Sequence, residues 1–283
     1  MSTWVGTLNE RRRSATRPFL LGELLVVFLL LEVYDYIKSL ESVRSGPAQR
    51  HGFDVLSVEQ TLHLDVESAA NGWLAHHDST STLLVWWYQY SHISGTMAVL
   101  TCCYLWFPVM YRSARNSLLV TNVVGLTVFV LYPVMPPRLL PHQGFIDSVA
   151  AAGFGSSHGG PVEPAQFAAM PSLHLAWATW VAVVAFAMLR GRPYRAWVFL
   201  YPLLTTVAVV ATANHYVLDV FAGVALALAT CLVFGMLRHT RRVAEPVTLV
   251  EPAPIPAAQV AQPVEGAPVT MPELTRDSPR VVP

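Results

Sequence analysis

Long apolar stretches alternate with short polar segments along most of the chain. Six of these stretches have roughly the 20 residues that a helix needs to cross about 30 Å of hydrocarbon. They cover residues 19–38, 88–109, 117–135, 172–189, 195–213 and 216–237. The pattern therefore predicts an all-α fold, a polytopic bundle of six transmembrane helices.

The polar segments between and beyond these stretches differ in character. Residues 51–82 carry intermittent apolar positions, which predicts one or two short amphipathic helices on the outer membrane surface. Residues 137–170 are rich in Gly, Pro and Ser and are predicted to form a loop. The expected organisation is a basic cytoplasmic N-terminus (1–18), a transmembrane domain (19–240) and a disordered, Pro- and Ala-rich cytoplasmic tail (244–283).

Basic residues predict the orientation of the spans. Twelve arginines fall on one side of a six-span chain and only four basic residues on the other, ahead of the tail. Because short cytoplasmic loops carry the excess of Lys and Arg, both termini are predicted to be cytoplasmic. The twelve are Arg11, Arg12, Arg13, Arg17, Arg112, Arg115, Arg190, Arg192, Arg195, Arg238, Arg241 and Arg242.

Net charge and cysteine content narrow the choice of partners. The formal net charge is zero, which gives no reason to expect nucleic acid as a partner. Cys102, Cys103 and Cys231 all lie in predicted spans, where a lone cysteine usually packs as a small apolar residue. Neither a disulfide framework nor a metal site is inferred from them.

The first candidate for chemistry is His174, in the stretch "MPSLH". Proline and serine just before it, Pro171 and Ser172, predict that the fourth span begins here, at the outer surface. A helix start offers unpaired backbone N–H groups and the positive end of the helix dipole, which together favour an anion.

The second candidate is "NHYVLD", where His215 and Asp219 are four residues apart at the start of the sixth span. On a helix this spacing puts both side chains on one face, so the carboxylate can orient the imidazole for attack or proton transfer. His174 precedes His215 by 41 residues, with one span running inward and the next running back between them. We therefore expect the two histidines to meet at one depth.

Arg138, in "YPVMPPRLLP", directly follows the third span and can clamp phosphate oxygens. Each of these residues taken alone also fits a structural role, such as a packed interfacial histidine or a lipid-headgroup anchor. Together on one membrane face they indicate a phosphoryl-transfer site. His92, near the outer end of the second span, is a further candidate to face this pocket.

These motifs resemble those of a known family. "PSLH", followed about forty residues later by "NHYVLD", resembles the second and third signatures of the type 2 phosphatidic acid phosphatase (PAP2) superfamily. The Leu in "PSLH", the His-Tyr pair and "PPR" resemble its inositol phosphorylceramide synthase-like branch. The resemblance implies that His215 attacks phosphorus and becomes a phosphohistidine, that Asp219 orients it, and that His174 transfers the proton. Arg138 and Ser172 are then expected to bind the phosphate, with no metal or other cofactor.

Two positions depart from the superfamily pattern. Leu131 and Val209 stand where the phosphatase motifs carry Lys and Arg, so Arg138 and two helix N-termini are expected to carry more of the phosphate charge. Within the resemblance, these absences favour the transferase-like branch over a standard phosphatase. The four residues on one membrane face lead to the main hypothesis, a lipid phosphotransferase or phosphohydrolase that acts on a phospholipid, or on a polyprenyl or inositol phosphoester, at the extracytoplasmic face. A plain lipid phosphate phosphatase and a non-catalytic lipid-binding or transport protein remain open, as do the lipid donor, the acceptor and the oligomeric state.

Overall fold

The computed structural model describes residues 18–39, 41–154 and 166–236, and within them the chain is helical without any β-strand. The predicted tail and all but the last residue of the basic N-terminus lie outside these residues. The helices are α1 (Leu20–Ser39), α2 (Glu41–Leu62), α3 (Glu67–Leu74), α4 (Asp78–Trp106), α5 (Pro108–Leu131), α6 (Ser148–Ala151), α7 (Leu173–Met188), α8 (Leu200–Ala211) and α9 (Val217–Val233). Short 3-10 turns cover Pro137–Leu139 and Pro193–Phe199.

The centre of the bundle is α7. It packs against α9, α4, α8 and α5, and most of its side chains are buried. Trp180, in the middle of α7, is fully buried and donates from its indole to the Ala114 carbonyl and the Ser117 hydroxyl of α5. An apolar helix enclosed on several sides holds a rigid position, so the residues at its start have a defined place.

The joint between α4 and α5 differs from the prediction. A single residue, Phe107, separates the two helices, and Pro108 opens α5 with the backbone geometry that proline favours at a first helical position. Arg112 and Arg115 therefore lie inside α5 and not in a loop. Arg115 forms an ion pair with Glu23 of α1, which ties α1 to α5.

Two segments are long and apolar enough to cross a membrane, Pro108–Leu131 and Pro193–Ala211, while α7 and α9 are apolar but shorter. Large apolar side chains are exposed on several helices, among them Leu24 of α1, Val109 of α5 and Val233 of α9. Extensive exposed apolar surface is typical of a membrane or partner interface. Each predicted span overlaps a described helix, but the six-span arrangement stays a prediction.

The outer segment 51–82 is helical, as predicted, and forms the end of α2, all of α3 and the start of α4. Its inward face, however, is not only apolar. Glu59, Glu67 and Asn71 are buried together with Leu56 and Leu74. The interpretation as helices resting on the membrane surface missed these polar contacts, because acidic residues in a polar segment normally face solvent.

Candidate active site

The two motif histidines lie in contact. His174 is in the first turn of α7, and His215 comes just before the N-cap of α9. The His174 Nδ1 and His215 Nε2 atoms are 3.2 Å apart. Because α8 runs back between α7 and α9, the starts of α7 and α9 lie at the same end of the bundle, as the spacing predicts.

Hydrogen bonds hold both the backbone and the ring of His215. Its amide donates to the Val209 carbonyl at 3.2 Å, and its Nδ1 lies 2.9 Å from the Ala169 carbonyl oxygen. A carbonyl only accepts, so Nδ1 carries the proton and Nε2 has a lone pair, which accepts the His174 Nδ1–H. Asp219 Oδ2 is farther from Nδ1, at 3.5 Å, and accepts the Tyr216 amide at 3.0 Å. The Ala169 carbonyl is thus the nearer orienting group.

Aromatic rings surround His174 on its other faces. Tyr88 stacks on it with ring centroids 4.5 Å apart, and His92 meets it edge-on at 4.3 Å. The His92 Nδ1 is 3.0 Å from the Tyr88 carbonyl oxygen. The pocket therefore contains a third histidine, as the position of His92 near the end of its span had suggested.

Arg138 faces the same end of the bundle, and its side chain is only 7% exposed. Its Nε donates to Asn214 Oδ1 at 2.8 Å and one terminal nitrogen donates to Asp147 Oδ2 at 2.6 Å. Its own amide donates to the Ala213 carbonyl at 2.9 Å. Arg138 is thereby bound to Asn214, the residue that directly precedes His215, and the Asp147 carboxylate partly neutralises its charge.

Ser172 caps α7 and also joins it to α9. Its hydroxyl oxygen accepts the Leu175 amide at 3.3 Å, and its own amide donates to the Asp219 carbonyl at 3.1 Å. A Cβ added at Gly223 of α9 would lie 2.2 Å from the Ser172 carbonyl oxygen. Only glycine allows the two backbones to approach this closely.

The start of α9 is capped by carboxylates from distant helices. Glu67 Oε1 accepts the Val217 amide and Glu59 Oε1 accepts the Leu218 amide, each at 2.7 Å. The sequence predicts that this helix N-terminus helps to neutralise the phosphate, but its Val217 and Leu218 amides already donate to buried carboxyl groups.

Both capping carboxyls lie on α2 and α3, outside the predicted spans, and are fully buried. Burial raises the pKa of Glu59 to about 8, and the neighbouring carboxyls of Glu67 and Asp219 act in the same direction. Burial also raises the pKa of Glu67. Desolvation and like charge both disfavour ionisation of this pair.

Leu131 and Val209, which stand where the motifs carry cations, have different surroundings in the fold. Leu131, at the end of α5, is 76% exposed and faces away from the bundle. Val209 is fully buried beside Tyr88 and Leu175, and its carbonyl accepts the Asn214 and His215 amides. A cationic side chain at position 209 would begin next to His215, whereas one at position 131 would begin on the exposed surface of α5.

Sequence reasoning missed several groups at this site, among them the Ala169 carbonyl, Asp147, Asn214, Glu59 and Glu67. A backbone carbonyl leaves no signal in a residue pattern. Asn214 stands within "ANHYVLD" and could have been found there, since it directly precedes His215. Among the described residues, no three side chains of His, Cys, Asp or Glu are grouped as ligands for a metal ion.

Comparison with known proteins gives one match. The family model described as the PAP2 superfamily matches residues 53–233, which is more than half of the 283 residues. No curated protein and no solved structure matches the chain. The matched range includes Arg138, Ser172 and both motif histidines, and extends back over Glu59 and Glu67.

Proposed function

Because this chain belongs to the PAP2 superfamily, we propose that it is an integral membrane phosphotransferase or phosphohydrolase that acts on a lipid phosphoester through a phosphohistidine. The substrate is a phospholipid, or a polyprenyl or inositol phosphoester. The observation that carries the proposal is the 3.2 Å contact between His174 Nδ1 and His215 Nε2, with the Arg138 side chain bound to the neighbouring Asn214. A nucleophile, an acid–base group and an anion-binding group thus stand at one end of the bundle.

In the first half-reaction the lone pair on His215 Nε2 attacks phosphorus. The phosphorus–oxygen bond to the leaving alcohol breaks, and His174 donates a proton to that oxygen. No phosphoryl group fits between two nitrogens that are 3.2 Å apart, so His174 turns away from His215 when substrate enters. The Ala169 carbonyl keeps Nδ1 protonated and Nε2 free during the attack.

In the second half-reaction His174 takes the proton from an acceptor hydroxyl, which attacks the phosphohistidine. The phosphorus–nitrogen bond breaks and His215 returns to its neutral form. The acceptor is a lipid or polyol hydroxyl in a transferase and water in a hydrolase. Both outcomes use the same intermediate and differ only in the molecule that occupies the acceptor position.

Arg138 and Ser172 are proposed to hold the phosphate. The Arg138 side chain is anchored by Asn214 on one edge and Asp147 on the other, which limits its freedom before substrate binds. With one arginine that already shares its charge, the site suits a phosphoryl group of low negative charge. This supports the inositol phosphorylceramide synthase-like branch, whose donor is a lipid phosphoester, over a phosphatase site rich in cations.

The proposed setting is a six-span membrane protein with both termini in the cytoplasm. The starts of α7 and α9 lie at one end of the bundle, and the arginine bias of the sequence assigns that end to the extracytoplasmic face. The exposed apolar side chains of α1, α5 and α9 support contact with lipid.

The test is to trap the intermediate. Purified protein in lipid nanodiscs, given a phospholipid labelled at phosphorus, should acquire an acid-labile label without added metal, and His215→Ala should lose both the label and turnover. His76→Ala, an exposed histidine before α4, is the matched control. Full turnover in His215→Ala would contradict the mechanism.

The labelled protein can also be used to distinguish a transferase from a hydrolase. Offering it water, inositol or a diacylglycerol, one at a time, identifies the acceptor by the labelled product that appears. A wild-type protein that binds phospholipid but never becomes labelled would instead favour the non-catalytic alternative of a lipid-binding or transport protein.

A further inference from the structure

Two fully buried acidic side chains, Glu59 of α2 and Glu67 of α3, reach the start of α9 from outside the PAP2 motifs. We propose that they are positioning residues: they share one proton, hold the first turn of α9 as a unit, and so keep His215 in place. This inference rests on the proposed function of His215. The two glutamates touch no reacting atom in the proposed mechanism.

The geometry at the helix start supports a positioning role. The first amides of a helix have no partner within the helix and are usually capped by a side chain close in sequence. In α9 the Val217 and Leu218 amides are capped from 150 and 159 residues away. The place of this helix start therefore depends on the outer helices as well as on the local bond from the Tyr216 amide to Asp219.

The arrangement of oxygens supports a shared proton. Each glutamate uses Oε1 for the helix amide, and in the described part of the chain the buried Oε2 atoms of both have no other hydrogen-bond partner. The two side chains are close enough to interact with each other, and two carboxylate oxygens in a buried site repel each other unless a proton lies between them. One proton on the pair removes the repulsion and leaves a single negative charge on the pair, at the positive end of α9.

The groups that face this pair are few. Asp219 and Tyr216 lie at the same helix start, and both interact electrostatically with the glutamates. His215 lies next to Asp219, with Nδ1 3.5 Å from its carboxylate. A second charge on the pair would repel the Asp219 carboxylate and push the first turn of α9, together with the preceding His215, out of place.

The sign of the pH dependence follows from the raised pKa of Glu59, about 8 against an ordinary value of 4.5. The folded protein binds this proton more tightly than the unfolded chain does. Stability from the pair is therefore fully present below the ordinary glutamate range, and it is lost as pH rises through about 8. Activity should follow, because His215 depends on the same helix start.

Glu59→Gln is the informative variant. Its amide oxygen can accept the Leu218 amide and its NH₂ can donate to Glu67, so it mimics the proton-sharing pair but has no proton to lose. We expect kcat within about threefold of wild type at pH 7, since the hydrogen bonds are kept. The ratio of its kcat to that of wild type should then rise above pH 8. The ratio cancels the titration of histidines common to both proteins.

Glu59→Ala removes the acceptor. We expect kcat at pH 7 to fall by about tenfold or more with little change in KM, because a buried amide is left unpaired at the helix start. Asp65→Asn, an exposed acid two residues before Glu67, is the matched control and should match wild type at every pH. Wild-type kcat in Glu59→Ala, or a flat ratio for Glu59→Gln across pH 6 to 10, would overturn the proposal.

Two measurements do not depend on catalytic turnover and therefore test this inference separately from the proposed function. Infrared spectra at neutral pH should contain the band of a protonated carboxyl, reduced in Glu59→Gln and in Glu67→Gln but not in Asp65→Asn. Hydrogen exchange at residues 216–219 should be faster in Glu59→Ala and unchanged in Glu59→Gln. Absence of the band in wild type overturns the shared proton. Its presence in a protein without phosphotransfer activity would overturn only the function.

Discussion

The starts of α7 and α9 carry the two histidines, but the two helix starts are stabilised in different ways. At α7 the cap is local, because the hydroxyl of Ser172 accepts the amide of Leu175 three residues on. At α9 Asp219 caps the Tyr216 amide locally, but the Val217 and Leu218 amides are capped by Glu67 and Glu59, which are 150 and 159 residues away. The start of α7 is capped from its own sequence, whereas the start of α9 depends in addition on the outer helices being in place.

This difference suits the two proposed roles. His215 is held by bonds to its backbone and ring and is only 3% exposed, as a nucleophile that needs a fixed position requires. His174 is partly exposed and packs through ring contacts with Tyr88 and His92. The hydrogen bond of His174 runs to the nucleophile itself, so an entering phosphoryl group breaks it and leaves only the ring contacts, and His174 can then turn away.

The largest effect is expected from His174→Ala. Loss of a general acid lowers kcat by about 10²- to 10⁴-fold on a lipid donor, because the alkoxide then leaves without a proton. On an aryl phosphate ester, whose leaving group needs no proton, the deficit in the first turnover should be much smaller. The measurement is the burst of released alcohol or phenol in single-turnover experiments.

His76→Ala is the control for these two donors, since His76 is exposed and lies outside the pocket. Equal deficits of His174→Ala on both donors would show that the ring acts through packing against Tyr88 and not as an acid.

Gly223→Ala tests the coupling between the two helix starts. The new Cβ would lie 2.2 Å from the Ser172 carbonyl oxygen, and a backbone atom cannot move aside as a flexible side chain can. We expect a loss of about 1–3 kcal/mol in the free energy of unfolding, and a lower kcat because α7 shifts with His174. Thermal unfolding in nanodiscs and steady-state kinetics measure the two effects.

Gly72→Ala in α3 is the matched control, because nothing lies within 4 Å of its added Cβ. There alanine should be neutral or gain up to about 1 kcal/mol from its higher helix propensity. Equal unfolding temperatures for the two alanine variants would mean that α7 and α9 can separate without cost.

The sequence predicted those parts of the site that are encoded locally. Proline and serine before His174 predict where α7 begins, and the structure starts the helix at Leu173. The spacing of Asp219 from His215 predicts that the two side chains meet, and they are 3.5 Å apart, although His215 precedes the N-cap of α9 and is not on the predicted helix face. Short-range patterns of this kind predict a contact of the folded protein because the residues that make the contact are neighbours in the chain.

Contacts between distant segments could not be predicted in the same way. The pattern of residues 51–82 gave helices, but nothing local shows that Glu59 and Glu67 turn inward to cap α9. Likewise, Asp219 is the expected partner of His215 from spacing, and the nearer acceptor is the Ala169 carbonyl from the loop before α7. Both follow from tertiary packing, which periodicity alone does not encode.

The smallest effect is expected from Ser172→Ala, which removes the local cap of α7. The hydroxyl accepts one long bond, 3.3 Å to the Leu175 amide, so we expect a loss of about 0.5–1 kcal/mol in the free energy of unfolding. If the hydroxyl proton also binds phosphate, KM for the phosphoester rises by about fivefold. Ser172→Thr keeps both the acceptor and the donor and should restore both quantities.

Ser57→Ala, an exposed position in α2, is the control for stability. A lower unfolding temperature in Ser172→Ala with unchanged KM would limit Ser172 to capping α7 and remove it from the phosphate site. Wild-type unfolding in Ser172→Ala would mean that α7, like α9, is held in place by distant contacts, and the proposed difference between the two helix starts would not hold.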